Sequence, residues 1–157
     1  MRPFKMIDES ELLRLFHSDE QYSDGEIKDI AISIDDLKER GLSLDIKALV
    51  KSSVILDRAA EQASRNPDRR HTTFISEIVK KEVCDCTAPD EDDEDSSESG
   101  GITLLFEIKP TPLDANPAHA SLFCIKKNKK RSFYVMARNK LKPIFKKKIV
   151  PLSTWSI

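Results

Sequence analysis

The chain predicts an α+β domain, a small and mostly antiparallel sheet packed on one main helix, and three observations carry that expectation. At 157 residues it has a one-domain length, long enough to bury a core without disulfide or metal staples. One stretch, Ser43 to Pro67, keeps a helical apolar period. Several short runs rich in β-branched and aromatic residues recur between Pro-, Gly- and charge-rich breaks, with no internal repeat. The expected organisation is a single domain over 1–157, with 88–101 as a flexible acidic loop inside it.

In chain order, Asp8 to His17 reads as a short helix, with Asp8 as cap, Glu11 in capping-box position, and Leu12, Leu15 and Phe16 on one face. Ser23 to Ile34 opens on a Ser-Asp-Gly turn and then spaces Ile27, Ile30, Ile32 and Ile34 as a half-buried strand or extended segment. Asp35 to Arg40 is a helical turn stopped by Gly41. From Ser43 to Pro67 runs the clearest helix, capped by Asp45 and ended by Asn66-Pro67. His71 to Val83 is read as a strand on its β-branched content, although Ile75, Ile78 and Val79 also suit a helix.

The run from Pro89 to Gly101 is acidic and Ser/Gly-rich, so like charges and a free backbone oppose collapse. Ile102 to Lys109 is a strand and the Pro-rich 110–117 an ordered loop. A second strand is expected at His119 to Lys127, followed by a turn at Asn128 to Arg131. Ser132 to Arg138 is a third strand or the lead-in to a helix. Asn139 to Ile149 is a short basic helix with Pro143 in its first turn.

Charge is laid out unevenly. The net charge is -1, yet from Ile102 onward twelve Lys/Arg face two Asp/Glu, leaving about -11 on the remainder. Three cysteines, an odd number, make no disulfide framework. The first residues carry charges throughout and no apolar core, and no apolar run approaches the roughly 20 residues a bilayer span needs. Together these point to a cytoplasmic protein with no membrane partner.

Several chemistries lack their residues. Cys84 and Cys86 are too close for a zinc knuckle; on a strand they would share a face, with His71 or His119 as distant co-ligands, or be ordinary reduced thiols. The acidic run lacks the spacing of a calcium loop. Four glycines, two of them adjacent in that run, exclude a phosphate cradle, and neither a nucleophile elbow nor a zinc-protease motif occurs. No metal and no cofactor is expected.

His119 remains, flanked by Ala118 and Ala120, which leave room for a ligand or another backbone. Imidazole can work as a general acid or base at neutral pH, but a histidine at a strand start can equally do no more than bond a loop. An enzyme would need His119 to meet Ser43, with Arg14 or His17. Metal-independent phosphate transfer or ADP-ribosyltransferase-like chemistry would then follow. The Gly-Leu-Ser step ending at Ser43 and the Pro-Ala-His-Ala step around His119 resemble a pattern in small uncharacterised bacterial proteins. That likeness implies bacterial origin and one local site for Ser43 and His119, and no activity.

The basic end is the stronger expectation. Lys126, Lys127, Lys129, Lys130 and Arg131 cluster at one turn, and Lys140, Lys142, Lys146, Lys147 and Lys148 follow. Such density can neutralise several phosphates, with Phe133 or Tyr134 between the clusters to stack on an unpaired base. It could equally dock an acidic protein, with Trp155 as interface anchor. A solvated face and a core tryptophan are the plainer readings, and a pI of about 6.3 is not that of a dedicated nucleic-acid binder. The acidic run could also fold back and screen the lysines. On the sequence, the leading function is a non-enzymatic binding protein using this surface, with the His119/Ser43 enzyme as the alternative.

Overall fold

A central strand covered on both faces organises the molecule. The computed structural model describes residues 4–89 and 102–156. In chain order it runs β1 (Glu11–Asp19), β2 (Tyr22–Ser23), β3 (Glu26–Ile27), a 3₁₀ turn at Asp29–Ala31 and a π-helical turn at Asp36–Arg40. Next come β4 (Leu42–Ile46), α1 (Ser52–Ser64), β5 (Arg70–Val79), α2 (Lys80–Cys84), β6 (Thr87–Pro89) and β7 (Ile102–Leu104). The chain ends with β8 (Phe106–Pro110), β9 (His119–Cys124), α3 (Arg131–Lys147), β10 (Ile149–Pro151) and a 3₁₀ turn at Leu152–Thr154. This is an α+β fold. Its main sheet has six strands in the order β10-β5-β1-β4-β9-β8, every neighbouring pair antiparallel.

The expected helix at Asp8 to His17 is strand β1 instead. Leu12, Leu13, Leu15, Phe16 and His17 are all buried, so apolar residues fill both faces. Such a run is what a strand sandwiched between two layers requires, and its period does not distinguish it from a helix. Leu12 and Phe16 join the larger core with Leu44, Ile46, Leu122 and, from α3, Tyr134, Leu141 and Phe145. Leu13 and Leu15 face the other way, into a smaller core with Ile55 and Ala59 of α1, Ile75 and Ala118. The two helices therefore lie on opposite sides of the sheet.

Other boundaries move for similar reasons. The stretch Ser43 to Pro67 is divided: β4 takes Leu42–Ile46, and the helix begins only at Ser52. Asp45 is then no cap but a strand residue. The expected strand from His71 is β5, whose last residues turn into α2. Ile27 is the end of a two-residue hairpin arm rather than the start of a long strand. Ile102 to Lys109 breaks at buried Leu105, since β7 pairs with β6 and β8 with β9. Ala88 and Pro89, placed in the acidic loop by sequence, belong to β6; 90–101 lies outside the described residues. The two C-terminal expectations merge into one helix, α3, of 17 residues. Pro143 sits near its end, not in its first turn, and the carbonyl it strands belongs to exposed Asn139.

Gly41 joins the π-helical turn to β4 at φ +86°, a conformation that strains any L side chain. A Cβ there would also stand 2.7 Å from the Ser121 Cβ and 2.8 Å from the Phe123 ring. Backbone strain and collision with β9 act together. Gly41→Ala is expected to destabilise the fold by about 2 kcal/mol or more, read by urea unfolding; a loss below about 0.5 kcal/mol would show the turn and β9 yielding freely.

Candidate functional site

β1 and β4 are joined at one end only. Their register pairs Leu12 with Ile46 and Leu13 with Asp45, whereas β1 stays bonded to β5 out to Asp19. Beyond Leu13 the two strands part. Arg14 lies in the opening and donates from its two terminal nitrogens to the Ser43 carbonyl at 2.8 Å and the Ala31 carbonyl at 2.7 Å. At Ser43 a guanidinium thus takes the place of the missing strand N–H, and the same group reaches the 3₁₀ turn at Ala31. Burial pushes its pKa down to about 10, against the pull of Asp36 and Asp45, so it stays cationic at neutral pH.

Over this opening, on the α1 side, lies a cavity of about 800 Å³. Ser43 and Asp45 of β4, His119 of β9, and Arg58, Glu61 and Gln62 of α1 form its polar walls. Positions 58, 61, 62 and 65 share one helix stripe, which turns toward the polar patch of the sheet.

Ser43 and His119 meet, 76 residues apart in sequence, with 3.1 Å between Oγ and Nε2. On the other side of the ring, Nδ1 lies 2.9 Å from the Thr111 carbonyl and 2.9 Å from the Thr111 hydroxyl. A carbonyl only accepts, so Nδ1 carries the proton and Nε2 presents its lone pair to the Ser43 hydroxyl, an assignment made from the hydrogen-bond network. Thr111 Oγ1 is held in turn by Ser121 Oγ at 2.7 Å. Ser43 is exposed and His119 half-buried. The arrangement sets an imidazole lone pair against a hydroxyl on the wall of a solvent-reachable cavity, a geometry in which the ring can take the hydroxyl proton.

Asp45 fixes the cavity floor. It is buried, receives both terminal nitrogens of Arg58 at 2.6 and 3.0 Å, and accepts from Asn116 Nδ2 at 2.7 Å. Asn116 Oδ1 accepts the Ala118 N–H, tying down the loop that leads into His119. Asp45, Arg58, Asn116 and Thr111 all escape a motif search, because none belongs to a short pattern.

His17 does not join the pair. It is 1% exposed and stands behind the cavity wall, Nε2 donating to Gln62 Oε1 at 2.9 Å and Nδ1 facing Thr73 Oγ1 at 3.0 Å. It bonds the cavity-lining Gln62 and does not itself line the cavity. His71 is exposed on β5. Cys84 closes α2 and Cys86 follows it, so they do not share a strand face, and burial raises both thiols above their ordinary range. Among the described residues no group of three or more His, Cys, Asp or Glu is placed to hold a metal.

The lysine-dense end is divided in two. Lys146 meets Glu26 at 2.7 Å, Lys147 meets Glu82 at 3.1 Å, Lys142 meets Asp29, and Lys148 meets Glu77. These acids stand on four different elements. Lys142 and Lys146 hold Asp29 and Glu26 below the usual carboxylate range. Burial alone would push Glu77 up, but hydrogen bonds from Lys148, Lys47 and Trp155 outweigh it. Lys126, Lys127, Lys129, Lys130 and Arg131 form no ion pair among the described residues. Tyr134 is buried and its hydroxyl bonds the Lys126 carbonyl, while Phe133 packs against the core, so neither ring is a free stacking platform. Trp155 is half-buried against the smaller core and donates to Glu77 at 3.5 Å.

No family model, no curated protein and no solved structure matches the chain. No helix of the described residues is long and apolar enough to cross a membrane.

Burial holds the His17 pKa below its ordinary 6.5, a shift that the bond to Gln62 only partly opposes. Arg70 and Arg14 lower it further and Glu20 raises it. The unfolded chain therefore binds the proton more readily, and the stability His17 contributes is complete above pH 6.5 and lost as pH falls below it. Urea unfolding at pH 7.5 and 5.5 should show lower stability at 5.5, and His17→Gln should flatten that step. An equal step in the variant would assign it elsewhere.

Proposed function

We propose that the chain works through the cavity at the parted strands, as a metal-independent enzyme acting on a small substrate, with Ser43 as nucleophile and His119 as its base. The single observation that carries this reading is the Ser43–His119 hydrogen bond on the cavity wall, with the imidazole oriented from behind by Thr111. In the first step His119 Nε2 takes the hydroxyl proton while Ser43 Oγ bonds to the electrophilic centre. The leaving group departs with the bonding pair and receives that proton. Water, deprotonated by the same nitrogen, or a second acceptor then releases the group from Ser43. Phosphate transfer fits this order of events.

A fluorophosphonate, which loses fluoride to an activated serine, tests the pair. Intact mass and peptide mapping should place one adduct on Ser43, absent in Ser43→Ala. His119→Ala should slow labelling by about 10²–10⁴-fold. A folded chain that stays unlabelled, or labels equally after Ser43→Ala, sinks the reading.

One observation favours a second function. The turn from Lys126 to Arg131 collects cations at the N-terminus of α3, where the helix dipole is itself positive and the first turn holds no acid. That local conflict suits docking of an acidic protein or a nucleic acid. Replacing Lys126, Lys127, Lys129 and Lys130 by Ser should abolish binding of polyglutamate or an oligonucleotide at low salt, measured by fluorescence anisotropy. Unchanged affinity removes this reading.

A further inference from the structure

We infer that the cavity receives an oxyanion group of its substrate at Arg14, beside Ser43, so that the substrate is a small organic anion bearing a phosphate or a carboxylate. This deepens the nucleophile reading and rests on it only in calling the ligand a substrate.

Four arginines line the cavity: Arg14, Arg58, Arg65 and Arg70. Three already hold carboxylates, Arg58 that of Asp45, Arg65 that of Glu61 and Arg70 that of Glu20. Asp36, also in the lining, pairs with Arg40. Among the described residues Arg14 has no carboxylate within ion-pair distance, and only the carbonyls of Ser43 and Ala31 receive it. Its Nε is shielded from solvent and has no acceptor.

Asp36 and Asp45 act on this charge only from beyond ion-pair distance, and each is engaged by another arginine. The guanidinium is therefore solvated by two neutral dipoles and incompletely neutralised, and an incoming anion supplies what is missing. The same guanidinium touches the Ser43 carbonyl, which places the anion within reach of the nucleophile's own residue. The cavity is far larger than an oxyanion alone needs, at about 800 Å³. Leu13, Leu15, Val54 and Leu113 give the organic remainder an apolar wall.

The test titrates the full chain, ¹⁵N-labelled at arginine, with inorganic phosphate and separately with acetate. The Arg14 Nε–H resonance is followed, identified by its loss in Arg14→Lys. A saturable shift is expected, with affinity weakened roughly ten- to a hundred-fold in Arg14→Gln. Tighter saturation by phosphate assigns the group to a phosphate and tighter saturation by acetate to a carboxylate; both uphold the site. No saturable shift with either anion, or a folded Arg14→Gln that binds like the parent, overturns it. If Arg14→Gln does not fold, the parent's Arg14 resonance alone decides. Ser43 labelling without an Arg14 shift sinks this site and leaves the nucleophile; a shift without labelling does the reverse.

Discussion

Arg14 stands where two strands of a six-stranded sheet part, and it bonds the carbonyl that the parting leaves behind. A strand carbonyl seeks a donor, and in a complete ladder β1 would supply it to Ser43. Here the arginine supplies it from a side chain, so β1 and β4 can diverge after Leu13 without leaving that carbonyl orphaned. The divergence exposes the edge of β4 that carries Ser43, gives the cavity its floor and lets α1 face a polar patch. The arrangement costs desolvation of a cation, which is why Arg14 is pushed down toward 10.

Charge is the second organising constraint, and it works mostly inward. A sequence whose first two-thirds is acidic and whose last third is basic invites an external partner. The fold instead lays the end of α3 against β3, β5, α2 and the Asp29 turn, so that acid and base from opposite ends of the chain meet. Each such exposed pair contributes little, roughly 0–1 kcal/mol. The apolar stripe of Tyr134, Leu141 and Phe145 sets which face α3 turns to the sheet, and the pairs balance four cations at its end against acids of this same chain. The turn at Lys126 to Arg131, with Lys140, is the part of the basic end that this closure leaves over among the described residues.

How far the sequence was legible follows from the same physics. That Ser43 and His119 share a site is only what the resemblance of two short steps implies, since no local pattern joins residues 76 apart. The α+β class and the strands near 71–79, 102–110 and 119–124 could be read from local pattern. β1 could not. Leu12, Leu13, Leu15 and Phe16 are apolar on both faces, and only knowledge of two covering helices turns that run into a strand. Asp45 was misread for the related reason that a carboxylate before a helix looks like a cap, whereas here it is buried against Arg58 and Asn116, long-range partners with no sequence signature. At the basic end, spacing reports density of charge and never what stands opposite it.

Three serines of the sheet show why Ser43 differs in kind. Ser76, on β5, is fully buried and donates to the Phe145 carbonyl at 2.5 Å, stapling α3 to the sheet. Ser121, on β9, is 4% exposed and bonds Thr111. Both hydroxyls satisfy a neighbour under a covered surface, which is the ordinary work of a buried serine. Ser43 lies on the strand between β1 and β9 yet is exposed, because β1 has turned away from it. A hydroxyl there has water to bond with and needs no imidazole for stability. The bond to an oriented His119 joins side chains of neighbouring strands without satisfying a buried group, and on the proposed reading it keeps a proton ready for transfer.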